Sequence, residues 1–333
     1  MDRDETALFH LGESLEVLND AGSDKRFHLW MADVSDAGTM RKILNENHVE
    51  VIFHAAAYKH VPLVENNVAA AIHNNVLALW KLLDIADQAG CDRFVLISSD
   101  KAVNPSSFMG ATKRIGELIV ASRPSNGLKA MSVRFGNVLG SQGSVVPTFK
   151  SQIARGKAIT ITHPDMTRFF MAISEAVSLV LQASVLGGNG EIYVLNMGEP
   201  IKIVDLAKML MRLSGKSEED VPIHYTGLRP GEKLFEELFY DDEAMLPTSV
   251  DGLRTASGRI VSWTMLSTQL HQLTRLLDEN AVWIRQKVKE IVPEYQQPSA
   301  KDEEYKESSA ILALLASKSN QSVHPFAMDT RVN

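Results

Sequence analysis

The sequence of 333 residues lacks the features that mark several large classes of protein. It has a single cysteine, Cys91, so no disulfide can form within the chain, and a reducing compartment is expected. No run approaches the roughly 18 apolar residues that a membrane span needs. The first twelve residues carry acids rather than a basic region and an apolar core, so no signal peptide is indicated. We therefore expect a cytoplasmic protein, with membrane association only if a longer N-terminal part exists.

The basic excess of a nucleic-acid surface is also missing. The net charge is -7, with acids and bases interspersed, so nucleic acid is not an expected partner. The apolar fraction of 45% is ordinary for a globular protein, and the length allows one large domain or two modest ones. We predict no metal site.

A glycine-rich phosphate turn is a third absence. A dinucleotide-binding Rossmann unit opens with a strand and a G-x-G-x-x-G or G-x-x-G-x-x-G turn, whose amides approach the pyrophosphate at a helix N-terminus. No such turn occurs in this sequence. As given, the chain is expected to bind a dinucleotide poorly or not at all.

An alternation of strands and helices is present through the first 140 residues. The predicted strands are 27–31, 49–55, 94–97 and 130–134, and the predicted helices are 4–18, 36–47, 64–89 and 106–122. This rhythm predicts an α/β fold, with a Rossmann-like, doubly wound, mostly parallel sheet and right-handed crossovers.

The pattern changes after residue 140. Strands are predicted at 158–162 and 191–196, and helices at 174–183, 204–213 and 263–290, the last as one helix or a pair. Beyond 296 the sequence turns polar apart from 311–315, which predicts a disordered tail with at most one transient helix. The expected domains are a Rossmann-like domain (1–140), a smaller substrate-binding part (141–295) and the tail (296–333).

The most informative stretch is SSDK at 98–101, followed by MGATK at 109–113. The apolar run 94–97 predicts a buried parallel strand, so Ser99, Asp100 and Lys101 fall at its carboxyl end, where open sheets place ligands. Lys113 lies about three helical turns further on. A hydroxyl, a carboxylate and two amines thus converge on one crevice, which favours proton and hydride chemistry on a sugar.

Six motifs together resemble the extended short-chain dehydrogenase/reductases, and within them the UDP-N-acetylglucosamine 4,6-dehydratases of polysaccharide, capsule and glycan biosynthesis. They are HAAAYKHVP (54–62), SSDKA (98–102), MGATK (109–113), RFGNVLGS (134–141), TRFFM (167–171) and RPGEK (229–233). The resemblance covers roughly residues 1–295 and implies conversion of a UDP-sugar through transient hydride transfer to NAD or NADP. It also places DRDE (2–5) just after the second strand of the fold. We therefore expect a truncated reading frame that lacks the first strand, the glycine turn, the first helix and most of the second strand, with a degenerate protein that folds without this unit as the alternative.

The resemblance implies a set of cofactor contacts. They are Asp2, Arg3, Asp33, Val34, Ala55, Ala56, Ala57, Lys59 and Lys113. Asp2 suits the ribose 2′-OH of NAD and Arg3 the 2′-phosphate of NADP, so the choice of cofactor stays open. Asp33 suits the adenine amino group, with a helix N-cap as the alternative.

The implied catalytic set is Ser99, Asp100, Lys101, Lys113 and Met109. Asp100 would protonate the leaving hydroxyl and Lys101 would act as base, which calls for a lowered lysine pKa. Met109 stands where the wider family has the Tyr of Tyr-x-x-x-Lys, as in a subset of these dehydratases. The group that takes the C4 hydroxyl proton stays open among Lys113, Asp100 and water.

The implied substrate contacts are His60, Asn137, Thr162, Arg168, Arg229 and Glu232. Arginine forks suit diphosphate oxygens, and a Glu carboxylate suits a ribose hydroxyl pair. Two competing functions remain, a nucleotide-sugar 4-epimerase and an inactive fragment that serves only as a binding module. A homo-oligomer is expected through helices 64–89 and 106–122.

Overall fold

The computed structural model of the chain describes residues 1–16, 27–141, 143–257 and 259–297. Residues 1–297 form one compact unit. The predicted tail lies outside the described residues from position 298 onward, and so do the last two residues of the predicted helix 4–18. Within the described ranges, no helix combines the length and the apolar character needed to cross a membrane.

Twelve strands occur in the described residues. They are β1 (Val51–His54), β2 (Arg93–Ile97), β3 (Lys129–Arg134), β4 (Asn137–Val138), β5 (Ile159–Ile161), β6 (Thr167–Arg168), β7 (Phe170–Met171), β8 (Ile192–Leu195), β9 (Ile201–Lys202), β10 (Ile223–Tyr225), β11 (Met245–Pro247) and β12 (Leu253–Ala256). The main sheet has the order β1-β2-β3-β8-β12-β11. Its first four strands are parallel, and β12 and β11 join antiparallel.

Eleven α-helices accompany them in the described residues. They are α1 (Glu5–Glu16), α2 (Ala37–Glu46), α3 (Val61–Asn66), α4 (Val68–Ala71), α5 (Ala78–Gln88), α6 (Phe108–Ser122), α7 (Val145–Ala154), α8 (Ile173–Leu186), α9 (Ile203–Leu213), α10 (Trp263–Arg275) and α11 (Ala281–Ile291). A π-helical segment, Ile72–Leu77, joins α4 to α5, and a 3₁₀ turn, Asp100–Ala102, follows β2.

Helices cover both faces of the main sheet. Successive residues of a strand point to opposite faces, so neighbours in one strand pack against different helices. Phe94 packs with α2, α5 and α6, outside which α10 and α11 add a further layer. Its neighbour Val95 packs with α8 on the other face. The predicted Rossmann-like, doubly wound α/β fold is therefore confirmed.

A third apolar cluster lies in the later part of the chain. Helices α7 and α9 pack there with β5 and β10, around Phe149, Ile161 and Leu210. Strands β8, β11 and β12 also come from beyond residue 140, yet they complete the main sheet. The domain boundary at 140 stays a prediction.

Two elements differ from the sequence prediction. In place of a strand over 27–31, Met31 alone pairs, in a single parallel bridge with Asp2. A strand needs a partner along its length, and the described chain offers this segment only the few residues before α1. The predicted helix 64–89 is interrupted at Asn67, whose φ of -135° and ψ of 54° are not helical, and again by the π-helical segment.

The fold covers part of the predicted oligomer surface. Of the 15 residues of α6, 12 are buried, and α10 and α11 lie over the helix. Leu270 and Val288 fill the same apolar cluster as α5 and α6. Much of α6 is therefore covered within the subunit, and an oligomer through helices 64–89 and 106–122 stays a prediction.

One edge of the main sheet is open in the described part of the chain. At this edge, β1 exposes 38% of Val51 and 43% of Phe53. Phe53 is in register with Val95, which places it on the α8 face of the sheet. On that face α8 exposes an apolar stripe at every fourth residue: Ile173, Val177, Leu181 and Val185.

Candidate active site

A tight turn after β2 holds the predicted acid and base. Asp100 donates its backbone N–H to the carbonyl of Phe135 at 3.0 Å, and its side chain is only 1% exposed. The Ser99 hydroxyl donates to Asp100 Oδ1 at 2.9 Å and accepts from the backbone N–H of Lys101 at 3.3 Å. Lys101 Nζ lies 3.0 Å from Asp100 Oδ1. The structure thus brings these three residues together at the carboxyl end of a parallel strand, as the sequence predicts.

A second carboxylate, Glu236, completes the cluster around Lys101. Its Oε1 lies 3.3 Å from Lys101 Nζ and 3.6 Å from Arg168 Nε, and its side chain is 3% exposed. Sequence reasoning missed Glu236, since nothing in the local pattern KLFEELF separates it from Glu237.

The charge state of Lys101 differs from the expectation. Burial lowers the pKa of Lys101, but the charges of Asp100 and Glu236 outweigh burial and raise it above the ordinary 10.5. The expected lowered pKa of Lys101 is therefore wrong, and Lys101 is an ammonium at neutral pH.

Helix α6 supplies the second lysine of the site. Lys113 Nζ donates to the carbonyl of Ile97 at 2.8 Å, and burial lowers the pKa of Lys113 to about 8, against the opposing charge of Glu117. Met109, one turn earlier, is buried in the apolar core and has no proton to give. Gly110 allows the close approach of this helix, since a Cβ there would lie 2.2 Å from the carbonyl oxygen of Lys101.

A buried ion cluster lies beneath the turn. Glu117 on α6 pairs with Arg134 of β3 at 2.9 Å and with Arg114 at 3.1 Å. Burial raises the pKa of Glu117, but the two arginines outweigh that effect and hold it below its ordinary range. Arg134 also pairs with Glu243 at 2.8 Å. These pairs join α6, β3 and the segment before β11 directly below the site.

A cavity of about 270 Å³ opens beside Lys101. Four predicted substrate residues line it together with Glu236: Asn137, Arg168, Arg229 and Glu232. His60 is not among the lining residues, but its ring lies against Gly143, which lines the cavity and has a φ of +68°. Thr162 is not on the wall, since its hydroxyl is buried and donates to Met166 Sδ at 3.2 Å.

Arg168 is held by the protein on several sides. It donates to the carbonyls of Thr167 at 2.7 Å, Lys233 at 2.8 Å and Leu234 at 3.2 Å. Arg229, by contrast, is exposed at the cavity. Of the two arginines predicted to contact a diphosphate, Arg168 and Arg229, Arg229 is therefore the more accessible.

Four hydrogen bonds tie the substrate loop, defined here as residues 229–240, to the segment that follows Lys101, one of them from Asn104 Nδ2 to Glu237 Oε1 at 3.2 Å. Ser106 Oγ donates to the carbonyl of Gly231 at 2.9 Å, and Lys233 Nζ to that of Val103 at 2.9 Å. The Tyr240 hydroxyl donates to the carbonyl of Ala102 at 2.7 Å.

A second cavity, of about 260 Å³, gathers most of the predicted cofactor residues. Its lining includes Asp2, Arg3, Asp33, Val34, Ala55, Ala56 and Ala57. Lys59 is exposed and lines neither of the two cavities described, and Lys113 lies instead at the end of β2. Asp33 is not the cap of α2, a role that Asp36 fills, but accepts from the backbone N–H of Ser35 at 2.8 Å.

Charged groups at this second cavity interact with one another. Arg3 pairs with Asp33 at 3.4 Å and stacks over the Tyr58 ring at 4.7 Å. Hydrogen bonds from Ser35 lower the pKa of Asp33, with a further contribution from Arg3. The charges of Arg3 and Asp33 fit the adenosine end of a dinucleotide, and the small side chains of Ala55–Ala57 fit its nicotinamide end. The sequence contains no glycine turn for the pyrophosphate.

Asn75 fixes the wall of the second cavity, and the sequence analysis missed it. Its Oδ1 accepts from the backbone N–H of Tyr58 at 2.8 Å. Its Nδ2 donates to the Tyr58 carbonyl at 3.1 Å and to Thr112 Oγ1 at 3.0 Å. Asn75 lies in the π-helical segment, a distortion that is frequent at functional sites.

The fold and the two cavities define a Rossmann-like α/β chain of the short-chain dehydrogenase/reductase type. It superimposes on the X-ray structure of Pen from Bacillus thuringiensis with a TM-score of 0.70 and 29% identity, over 78% of this chain and 81% of that one. It also superimposes on DesIV, a dTDP-glucose 4,6-dehydratase from Streptomyces venezuelae with NAD bound, with a TM-score of 0.60 and 21% identity, over 80% and 84% of the two chains.

The chain belongs to the polysaccharide biosynthesis protein family, which it matches over residues 1–257. It is 53% identical over 215 residues to the capsular polysaccharide biosynthesis protein CapD of Staphylococcus aureus, covering 64% of this chain and 36% of that protein. It therefore spans about a third of the length of that relative. It is also 35% identical over 232 residues to a UDP-glucose 4-epimerase of Rickettsia canadensis, covering 68% of this chain and 66% of that one.

Proposed function

We propose that this chain carries the substrate site of a nucleotide-sugar 4,6-dehydratase that converts UDP-N-acetylglucosamine to a UDP-4-keto-6-deoxyhexosamine. The observation that supports this most directly is the Asp100–Lys101 pair. The two groups lie 3.0 Å apart, the acid is fully buried, and the amine lines the cavity that also holds Arg229 and Glu232. Elimination of water from a sugar needs an acid and a base side by side, which this pair provides.

The proposed cofactor is NAD or NADP, which when bound accepts a hydride from the sugar and returns it later. Asp2, Arg3 and Asp33 would hold its adenosine end, and Ala55–Ala57 would lie against its flat nicotinamide end. Titration followed by nicotinamide fluorescence tests this assignment. A submicromolar dissociation constant for NAD or NADP would exclude the alternative that this chain is an inactive fragment.

A single proton transfer prepares the pair for elimination. Moving the Lys101 proton to Asp100, across 3.0 Å, turns the ion pair into a neutral amine and a neutral acid. A bound sugar that expels water favours this neutral pair, since buried charges are costly to desolvate.

The elimination then returns both groups to their first state. The Lys101 amine takes the C5 proton, and Asp100 gives its proton to the C6 hydroxyl, which leaves as water. The pair ends as ammonium and carboxylate again. The substrate has lost one proton and one hydroxyl, so atoms and charges balance over this step.

A 4-epimerase is the second candidate, favoured by the likeness to the Rickettsia protein. It predicts a product of unchanged mass, and it needs no acid and base for loss of water. The buried Asp100 beside Lys101 therefore supports the dehydratase over the epimerase.

The deciding experiment incubates the chain with UDP-N-acetylglucosamine and with NAD at a concentration high enough to saturate a weak site, since the sequence has no glycine turn, and follows product mass. We expect loss of one water, and we expect D100N and K101M to abolish it. D278N and K216M, the same substitutions at exposed positions, serve as controls and should keep wild-type turnover. An unchanged mass together with a new hexosamine would favour the epimerase, and full activity of K101M would refute the dehydratase mechanism.

A further inference from the structure

Glu236 is placed to act on the proposed base, and no sequence motif points to it. It belongs to the substrate loop, more than 130 positions after Lys101, and its carboxylate contacts the Lys101 amine across the fold. Lys101 Nζ is therefore held between Asp100 Oδ1 at 3.0 Å and Glu236 Oε1 at 3.3 Å.

The surroundings of Glu236 are those of a functional carboxylate rather than a surface ion pair. Its side chain is almost wholly buried, and its Oε2 has no hydrogen-bond partner among the described residues. An unsatisfied buried oxygen costs free energy, so its retention in a native fold needs a reason. Asp100 Oδ2 is buried and unpartnered in the same way. Each of the two carboxylates that contact the Lys101 amine thus keeps one unpartnered oxygen.

We propose that Glu236 is a positioning residue for Lys101, which fixes the amine beside Asp100 and keeps it protonated until the substrate is bound. The expected effect on turnover rests on the proposed function, whereas the expected effect on the protonation of Lys101 is a property of the free protein. The ammonium would then be the reservoir of the proton that Asp100 receives.

The charges that face Lys101 determine the direction of this effect. Asp100 and Glu236 both favour the ammonium, whereas Arg168, 3.6 Å from the same Glu236 oxygen, opposes it. Glu232 lies 3.9 Å from Arg168 and reduces that opposition. Removal of the Glu236 charge takes away one of two favourable partners, so Lys101 should lose its proton at lower pH.

The test measures the reactivity of Lys101 in the full chain without substrate. Reductive methylation at a series of pH values, read peptide by peptide by mass spectrometry, gives the fraction of free amine at each lysine. In E236Q the half-labelling pH of Lys101 should fall by at least about one unit, which corresponds to about tenfold faster labelling at neutral pH. The matched control is E237Q, since Glu237 pairs with Lys233 at 2.8 Å and should leave Lys101 unchanged.

The wild-type protein alone provides a second measurement, which needs no variant to fold. The two carboxylates raise the pKa of Lys101, and burial lowers that of Lys113 to about 8, so Lys113 should be labelled at lower pH than Lys101. The reverse order would overturn the proposal, as would an unchanged Lys101 profile in E236Q.

Turnover supplies an independent readout. The limb of the kcat/KM profile that falls at high pH, as Lys101 loses to solvent the proton that Asp100 would receive, should move to lower pH in E236Q. If Glu236 served only to hold Arg168 for the diphosphate, KM alone would rise and that limb would stay in place, which contradicts the proposal. Absence of any dehydratase activity in the wild type would refute the proposed function without touching the labelling result.

Discussion

The hydroxyl of Ser98 donates to Glu117 Oε1 at 2.7 Å, and both side chains are buried. This bond fastens the residue that follows β2 to α6, one position before the Ser99–Lys101 turn. Because Glu117 also pairs with Arg134 and Arg114, the turn rests on a charged cluster rather than on apolar packing alone.

Loss of the Glu117 charge should destabilise the protein strongly. E117Q removes the carboxylate that Arg114 and Arg134 share and leaves each arginine only its second partner, Glu294 or Glu243; breaking buried pairs in this way costs up to about 3–5 kcal/mol. Chemical denaturation measures the free energy of unfolding. E218Q is the control, since Glu218 pairs with Lys208 at the surface and its loss should cost about 1 kcal/mol or less. Equal effects of the two variants would contradict the structural role of the cluster.

G110A should impair both folding and turnover. On helix propensity alone, alanine would stabilise α6 by up to about 1 kcal/mol. A Cβ at this position meets the Lys101 carbonyl oxygen at 2.2 Å, however, so the helix and the turn must separate. The midpoint temperature of thermal denaturation and the rate of dehydratase turnover should both fall. G38A, whose Cβ would meet its nearest atom at 3.4 Å, is the helical control and should be neutral or stabilising.

His54 should make the protein sensitive to mild acid. Burial lowers its pKa to about 3, with a further contribution from Lys113, against an ordinary value of 6.5. Between these two values the unfolded chain binds a proton that the folded chain does not. Stability is therefore retained above about pH 6.5 and falls on acidification, by about 1.4 kcal/mol for each pH unit.

The measurement for His54 compares unfolding free energies from pH 7 to pH 4. H54N should flatten this slope relative to the wild type. H28N, at an exposed position, should keep the wild-type slope. An identical slope in H54N and the wild type would show that another group titrates in this range.

The open edge at β1 should promote association. An unpaired strand edge with exposed apolar side chains pairs readily with another chain. Sedimentation velocity at increasing protein concentration should show association of the wild type, and F53E should reduce it. L213E is the control, because Leu213 is 78% exposed at the end of α9, outside the β1 edge. Equal behaviour of all three proteins would argue against this edge.

The fold was predictable from the sequence because local periodicity and burial agree over most of the chain. The run 94–97 is a buried parallel strand, and the alternating elements around it form the expected sheet. The strand predicted at 27–31 fails because an extended segment is stabilised only by a neighbour along its length. The π-helical segment was not predictable, since Asn75 adopts it while bonding to a loop 17 positions earlier.

The site was predictable only where motifs are contiguous. Asp100 and Lys101 share one short stretch, and Asn137, Arg168 and Arg229 each belong to a recognisable motif. Glu236 was missed because its role depends on a contact across the fold, and the direction of the Lys101 pKa was wrong for the same reason. A pKa depends on every charge that faces the group, which a linear pattern does not show.

The hydrogen bonds from Ser106, Lys233 and Tyr240 couple the substrate loop to the segment that carries the proposed acid and base. Under the proposed function, a nucleotide bound by Arg229 would steady the segment that carries the acid and the base. Binding energy from the remote end of the molecule is then spent on aligning the reacting end. A hexosamine phosphate that lacks the uridine should therefore bind more weakly. It should also turn over slowly at saturating concentration, because the acid and the base would be less well aligned.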